Sequence, residues 1–265
     1  MKTQINHPRP YHAGIHIADQ CLDWMPTDTK DHYDNLIKNP KHQEYFQTMG
    51  WDKPGAITYK LNSEGFRCEE FDDSPCVVAL GCSYTMGIGL PVECLWPSLV
   101  GQALNLKVFN LAWGGYSADS CFRIARYWIP KLNAKVVCML APPQARIELI
   151  TSEKCRDTGR TFTDVFMPES RSQYYNPADV YLNTWFMQEE NHIINKEKNV
   201  FAIQQISTNA GAKFCIVDTD TTMTRSREEI GYARDHMHGG PQIHREIAGN
   251  MLAQYEQNQI NISSQ

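Results

Sequence analysis

Three runs of strand length constrain this chain more than anything else in it. Cys76-Val77-Val78-Ala79-Leu80, Lys135-Val136-Val137-Cys138-Met139-Leu140 and Lys213-Phe214-Cys215-Ile216-Val217 are almost unbroken apolar stretches. A strand that is apolar on both faces must be covered on both faces, which is the condition of a parallel sheet inside an α/β domain. Gly81 ends the first run and Pro142-Pro143 the second. Lys107 to Leu111 reads as a further short strand. Helical spacing fills the intervals: Trp96 to Leu104, Asp119 to Leu132, most of Val180 to Asn209, and Gln242 to Tyr255. In the second of these Cys121, Ile124, Ala125 and Trp128 share one face, and Pro130 disturbs the last turn. Such alternation predicts βαβ units, with helices on both sides of the sheet. Ligands on such sheets bind beyond the carboxyl ends of the strands. The loops after Leu80, Leu111, Leu140 and Val217 are therefore where chemistry is expected.

The first 72 residues follow another pattern. They hold five of the nine histidines, many aromatics and Pro8, Pro10, Pro26, Pro40 and Pro54, with little periodicity. They are expected to form an irregular extension packed on a main domain of residues 73–255. Short helices are predicted over 31–37 and 40–49, a strand over 56–62, and a turn at Asn62-Ser63-Glu64-Gly65. The polar stretch Thr151 to Asp179 predicts an insertion or long loop, part of a segment near 142–179, and residues 256–265 a frayed polar tail.

Composition narrows the classes. With 265 residues, 42% hydrophobic and 21% charged, the chain has material for a core without disulfides or metal. Thirty acidic against twenty-five basic residues leave a net charge of -5. That provides no global basic field for nucleic acid. The apolar runs are too short to span a bilayer. The N-terminus lacks the apolar core of a secretory signal. Nine scattered cysteines without a CxxC pair predict reduced thiols and a cytoplasmic compartment.

Three clusters at predicted strand ends have chemical potential. Gly81-Cys82-Ser83-Tyr84-Thr85-Met86-Gly87-Ile88-Gly89 follows the first strand. It lacks the lysine of a phosphate loop and the spacing of a dinucleotide fingerprint. It can expose the Ser83 hydroxyl at a turn, or be a plain glycine-rich turn. Asn110 to Ser117 contains Gly114-Gly115, able to present a backbone N–H to an oxyanion or simply to turn the chain. Arg234-Asp235-His236-Met237-His238-Gly239-Gly240-Pro241 spaces Asp235 and His238 so that a carboxylate can meet an imidazole on one turn. A metal site from Asp235, His236, His238 and His244 is the rival reading; no second acidic or Cys cluster accompanies it, so no metal is expected.

Taken together, in the order serine, glycine, Asp–His, these blocks resemble the SGNH or GDSL-type hydrolases, a family of esterases, lipases and carbohydrate deacetylases. Gly81-Cys82-Ser83 stands where the family has G-D-S, Asn110 and Gly115 match its second block, and Asp235-x-x-His238 its last. Leu61-Asn62-Ser63-Glu64-Gly65-Phe66-Arg67 is similar to the lead-in of some members. The resemblance covers about Ile57 to Leu252. It implies a flavodoxin-like three-layer α/β/α sandwich with a parallel sheet. It also implies catalysis by Ser83, His238 and Asp235, an oxyanion hole from the N–H groups of Ser83 and Gly115 joined by Gln144, and no cofactor. The implied substrate is a small-molecule or glycan ester carrying an acyl or O-acetyl group. Two departures stand out. Cys82 replaces the family's Asp, and the third block, G-x-N-D, is missing after Leu140, where Gln144 and Arg146 are the replacements for its Asn. Loss of one oxyanion donor costs roughly 100- to 1000-fold in rate. The alternative is therefore a binding or structural module on the same fold. The Trp24, Trp51, Trp113 and Trp185 regions are its candidate contact surfaces, although core burial is the commoner role for any single Trp, with a virion-associated role as in similar phage-encoded domains.

Overall fold

The computed structural model of this chain describes residues 10, 12–150, 163–166, 188–222 and 231–263. Strands β1 (Cys21–Leu22) and β2 (Tyr59–Lys60) form a small antiparallel pair in the N-terminal region. Helices α1 (Lys30–Leu36) and α2 (Pro40–Met49) lie between them. Local chemistry explains both helices. Thr29 accepts from the His32 N–H and Asn39 from the Lys41 N–H, Pro40 opens α2, and Gly50 closes it in the left-handed conformation at φ 71°. The strand expected over 56–62 shrinks to β2, because its only partner in the pair is the two-residue β1.

The main sheet contains β3 (Cys76–Leu80), β4 (Lys107–Asn110), β5 (Ala134–Ala141) and, at the far edge, Lys213–Asp218. Three α-helices lie between β3 and β5: α3 (Ser83–Met86), α4 (Trp96–Leu104) and α5 (Ala118–Trp128). Around Pro130 the chain tightens into a 3₁₀ turn at Ile129–Lys131, since the proline cannot continue the α-helix. Beyond β5, β6 (Ile147–Ile150) and β7 (Thr163–Phe166) make an antiparallel ladder inside the predicted insertion. The rest of Thr151 to Asp179, together with Trp185, lies outside the described residues. Helix α6 (Glu189–Asn209), strand β8 (Lys213–Asp218), helix α7 (Thr219–Thr222) and helix α8 (Pro241–Ser263) complete the described elements. Helix α8 runs through most of the tail expected to fray.

The sheet order is β4-β3-β5-β8, parallel throughout. Alternation along the strands divides the core into two layers. Val78, Leu80, Val137 and Met139 pack with Cys121, Ile124 and Ala125 of α5 and Ile203 of α6. Val77, Ala79, Val136, Cys138 and Leu140 pack with Trp96 and Val100 of α4 and Ile243, Ile247 and Met251 of α8. Helices therefore cover both faces, and the fold is the three-layer, flavodoxin-like α/β sandwich. β3 is flanked by β4 on one side and β5 on the other, so its carboxyl end is the point where the winding direction switches. Ser83 lies three residues beyond β3. A third cluster, with Met25, Phe46, Trp51, Ile57 and Tyr59, joins the N-terminal region to Met86, Ile88, Leu90 and Ala233. Trp51, a candidate contact residue of the binding-module alternative, is buried there, the commoner role for a single tryptophan. Eight cysteines are free among the described residues. No described helix is long and apolar enough to cross a membrane.

Candidate active site

The loop after β3 is shaped by what it cannot hold. A Cβ on Gly81 would stand 2.1 Å from Thr85 Oγ1 and 3.0 Å from the Leu140 carbonyl oxygen. Only glycine lets the chain leave the sheet that closely. Cys82 caps the short helix α3, and Ser83 is its first residue, 8% exposed. Gly87 ends the helix at φ 81°, where a Cβ would run into Leu95. Two side chains from elsewhere brace this turn. Asn110, at the end of β4, donates from Nδ2 to the Thr85 carbonyl at 2.7 Å and accepts the Ala112 N–H. Arg67 is buried and donates to the carbonyls of Met86, Gly87, Leu90 and Thr58 at 2.6–3.2 Å. Burial pushes its guanidinium down to about 10, and it remains a cation at neutral pH. The Asn-Ser-x-Gly-Phe-Arg lead-in thus holds the serine loop from below: Asn62 Oδ1 accepts the N–H groups of Glu64 and Phe66, and Arg67 gathers the carbonyls that follow Ser83.

The second half of the site precedes α8. His238 Nδ1 meets Asp235 Oδ2 at 2.6 Å, and Asp235 Oδ1 accepts the N–H groups of Met237 and His238. Asp235 is 1% exposed. Burial pushes its carboxyl up, but the bonds from His238 and Thr27 outweigh that and hold it below the ordinary carboxylate value. A carboxylate so placed fixes the Nδ1–H tautomer and leaves Nε2 to act as a base. The loops meet directly. Gly89 accepts the Arg234 N–H at 2.8 Å, and the Tyr84 ring, beside Ser83, lies 4.9 Å edge-on to the His238 ring. Among the described residues the Ser83 hydroxyl has no hydrogen bond to His238.

The other predicted residues separate. Gly115 has φ 81° at the loop after β4, and its N–H has no backbone acceptor among the described residues. Gln144 is engaged elsewhere: its N–H donates to Asp220 Oδ2 at 3.0 Å and its side-chain amide to Glu189 Oε1 at 3.4 Å. Arg146 reaches the Tyr116 carbonyl. The histidines do not converge on one point. His236 lies against Tyr232 at 4.6 Å, and burial lowers it to about 4. His244 is buried in the core, where its Nδ1 accepts the Trp96 N–H, and burial lowers it to about 3. Among the described residues no group of three potential metal ligands gathers.

Sequence reasoning missed the residues of the N-terminal region that touch this site. Thr27 Oγ1 donates to Asp235 Oδ2 at 2.7 Å, and His32 Nε2 lies 2.9 Å from the Asp235 carbonyl. Asp28, 1% exposed, takes a two-pronged ion pair from Arg234 at 2.6 and 2.9 Å, and also accepts from Tyr59. Tyr59 in turn accepts the Gly89 N–H at 2.8 Å. No local pattern marks these pairs, since Asp28 and Arg234 stand 206 positions apart.

No protein-family model matches the sequence, and no curated protein matches it. Solved structures do match in shape. A psychrotrophic esterase from Pseudoalteromonas sp. is 12% identical with a TM-score of 0.34, over 70% of this chain and 98% of its own. A carbohydrate esterase whose active site displays divergent catalytic and non-catalytic binding functions is 13% identical with a TM-score of 0.41, over 69% and 68%. A family two carbohydrate esterase from Cellvibrio japonicus is 12% identical with a TM-score of 0.34, over 69% and 61%. At such identities and scores the likeness carries nothing about the site, which rests on its own geometry. Further matches, covering 66–71% of this chain, include a lipolytic protein of the G-D-S-L family from Desulfitobacterium hafniense and a salicylyl-acyltransferase from a tetracycline biosynthetic pathway.

Proposed function

We propose that this chain is a serine hydrolase cleaving an ester bond. The observation that carries the reading is the 2.6 Å Asp235–His238 pair set against the loop that starts with Ser83. His238 Nε2 takes the Ser83 proton as the hydroxyl oxygen attacks the ester carbonyl, and Asp235 stabilises the imidazolium that forms. The tetrahedral oxyanion is held by the backbone N–H groups of Ser83 and Gly115. His238 returns its proton to the leaving alcohol, then activates the water that releases the acyl group. The chemistry needs no cofactor. The substrate class we assign is an acyl or O-acetyl ester, with a carbohydrate as one candidate alcohol.

A second reading, a module kept for binding, is favoured by one observation. Gln144, the replacement for the family's third-block donor, spends both of its donor groups on Asp220 and Glu189. A fluorophosphonate probe separates the two. Covalent labelling that maps to Ser83, and that disappears in Ser83→Ala and His238→Ala proteins of unchanged circular dichroism, is the expected result. Folded wild-type protein that takes no label would favour the binding module.

A further inference from the structure

The N-terminal region reaches the Asp235–His238 pair with a hydroxyl. Thr27 Oγ1 donates to Asp235 Oδ2, the same oxygen that faces His238 Nδ1. The carboxylate thus has four partners. Three come from its own loop, and the fourth comes from a residue 208 positions away. The backbone at Thr27 has φ 71°, a region that β-branched residues rarely enter. Glycine or asparagine would sit there more easily, so backbone preference does not account for the threonine. The segment is clamped on both sides of it. Met25 is buried in the aromatic cluster and its N–H donates to the Asp28 carbonyl. Asp28 holds Arg234, and His32 meets the Asp235 carbonyl.

We propose that Thr27 is a positioning residue for the Asp235–His238 pair, and that the N-terminal region is thereby a working part of the site. Its hydroxyl pins the carboxylate so that Oδ2 stays on Nδ1, leaving Nε2 directed toward the serine loop. The catalytic consequence rests on the Ser83 reading; the geometry of the pair does not. Other charged or titratable groups lie on the elements packed around the pair: Asp28 bound to Arg234, His32 of α1 at the Asp235 carbonyl, His42 of α2 against His236, Tyr84 of α3 against His238, and His244 of α8, which feels the charge of His238 and Arg67. Among the described residues, none of these donates to the Asp235 carboxylate.

The test compares full-length wild type with Thr27→Val, which keeps the shape and loses the hydroxyl, and Thr27→Ser, which keeps the hydroxyl. Proton NMR reads the low-field Nδ1–H of His238, assigned by its absence in His238→Ala. Fluorophosphonate labelling of Ser83 is followed at a single neutral pH. In Thr27→Val the resonance should move or be lost to exchange, and labelling should slow roughly ten- to a hundredfold. Thr27→Ser should restore both. The proposal is overturned if Thr27→Val leaves the resonance in place, or if Val and Ser are equally impaired. Should the valine protein not fold, Thr27→Ala replaces it in the same comparison. If wild type takes no label at Ser83, the hydrolase reading fails and the resonance alone decides this one.

Discussion

Arg67 shows how much of this site depends on single buried polar groups. Its guanidinium serves four backbone carbonyls, three of them in the turn that follows Ser83. Arg67→Met would fill similar volume and leave those carbonyls without a donor. Each unsatisfied buried acceptor costs about 1–3 kcal/mol, and relaxation toward water recovers part of it. We expect a net loss of about 3 kcal/mol in urea denaturation, with slower labelling of Ser83 because the turn loses its brace. Labelling at the wild-type rate would show that the turn holds itself. Gly81 is the opposite case, a position defined by lack of space. Gly81→Ala would force Thr85 or the Leu140 carbonyl to move, and should cost about 1–3 kcal/mol as overpacking does. The cost is measurable as a shift in urea midpoint at unchanged m-value.

The elements divide the work between a rigid sheet and two loops that must meet. β3 delivers Ser83 and the loop before α8 delivers His238, while the region of β1, α1, α2 and β2 ties the second loop down. Its strongest tie is Asp28 with Arg234, both almost wholly buried. Removing one partner strands the other charge, which typically costs about 3–5 kcal/mol. Arg234→Met and Asp28→Leu should each destabilise the protein by that order, and the double variant by much less than the sum. Additive losses in equilibrium unfolding would mean that the two side chains do not act as a pair. The same variants should loosen Thr27 and Asp235, since both lie next to the pair in sequence. On the other side of the sheet, Arg123 grips Glu148 with two nitrogens, tying α5 to the β6–β7 ladder. Lys196 bridges Asp218 and Asp220 just past β8.

Acid stability is a property of the whole molecule, and its sign follows from the buried histidines. His236 is lowered to about 4 and His244 to about 3 from an ordinary 6.5, in both cases chiefly by burial. Above the ordinary value neither the folded nor the unfolded chain holds the extra proton, so stability is at its full level. As pH falls below it the unfolded chain takes protons that the folded one refuses. Stability then declines by up to roughly 1.4 kcal/mol per pH unit for the buried His244, and by less for the half-buried His236, where solvent screens the effect, until their folded values are reached. Asp235, with its carboxyl held low, adds a second loss as pH falls from the ordinary carboxylate value through its own. Unfolding in urea between about pH 7 and pH 4 should show this slope. His244→Asn, which keeps an acceptor for the Trp96 N–H, should reduce it by about one proton. An unchanged slope would place the acid sensitivity elsewhere.

Sequence alone determined the layers and the ends of the strands. Burial on both faces writes an unbroken apolar run, and a helix writes a 3.6-residue period, so β3, β5, β8, α4 and α5 could be read from residues close together in the chain. The Asp235–His238 turn was readable for the same reason, its two members standing three positions apart. The tail misled because polarity resembles fraying, whereas α8 continues to Ser263. The β6–β7 ladder gave no clear alternation. What only the tertiary structure decided is everything that crosses the chain. Thr27 on Asp235, Asp28 on Arg234, Arg67 under the serine loop and Gln144 on Glu189 are pairings between segments that packing brings together. A hydrogen bond between residues 208 positions apart leaves no period and no spacing in the sequence, because the folded core, not the chain between them, sets their distance.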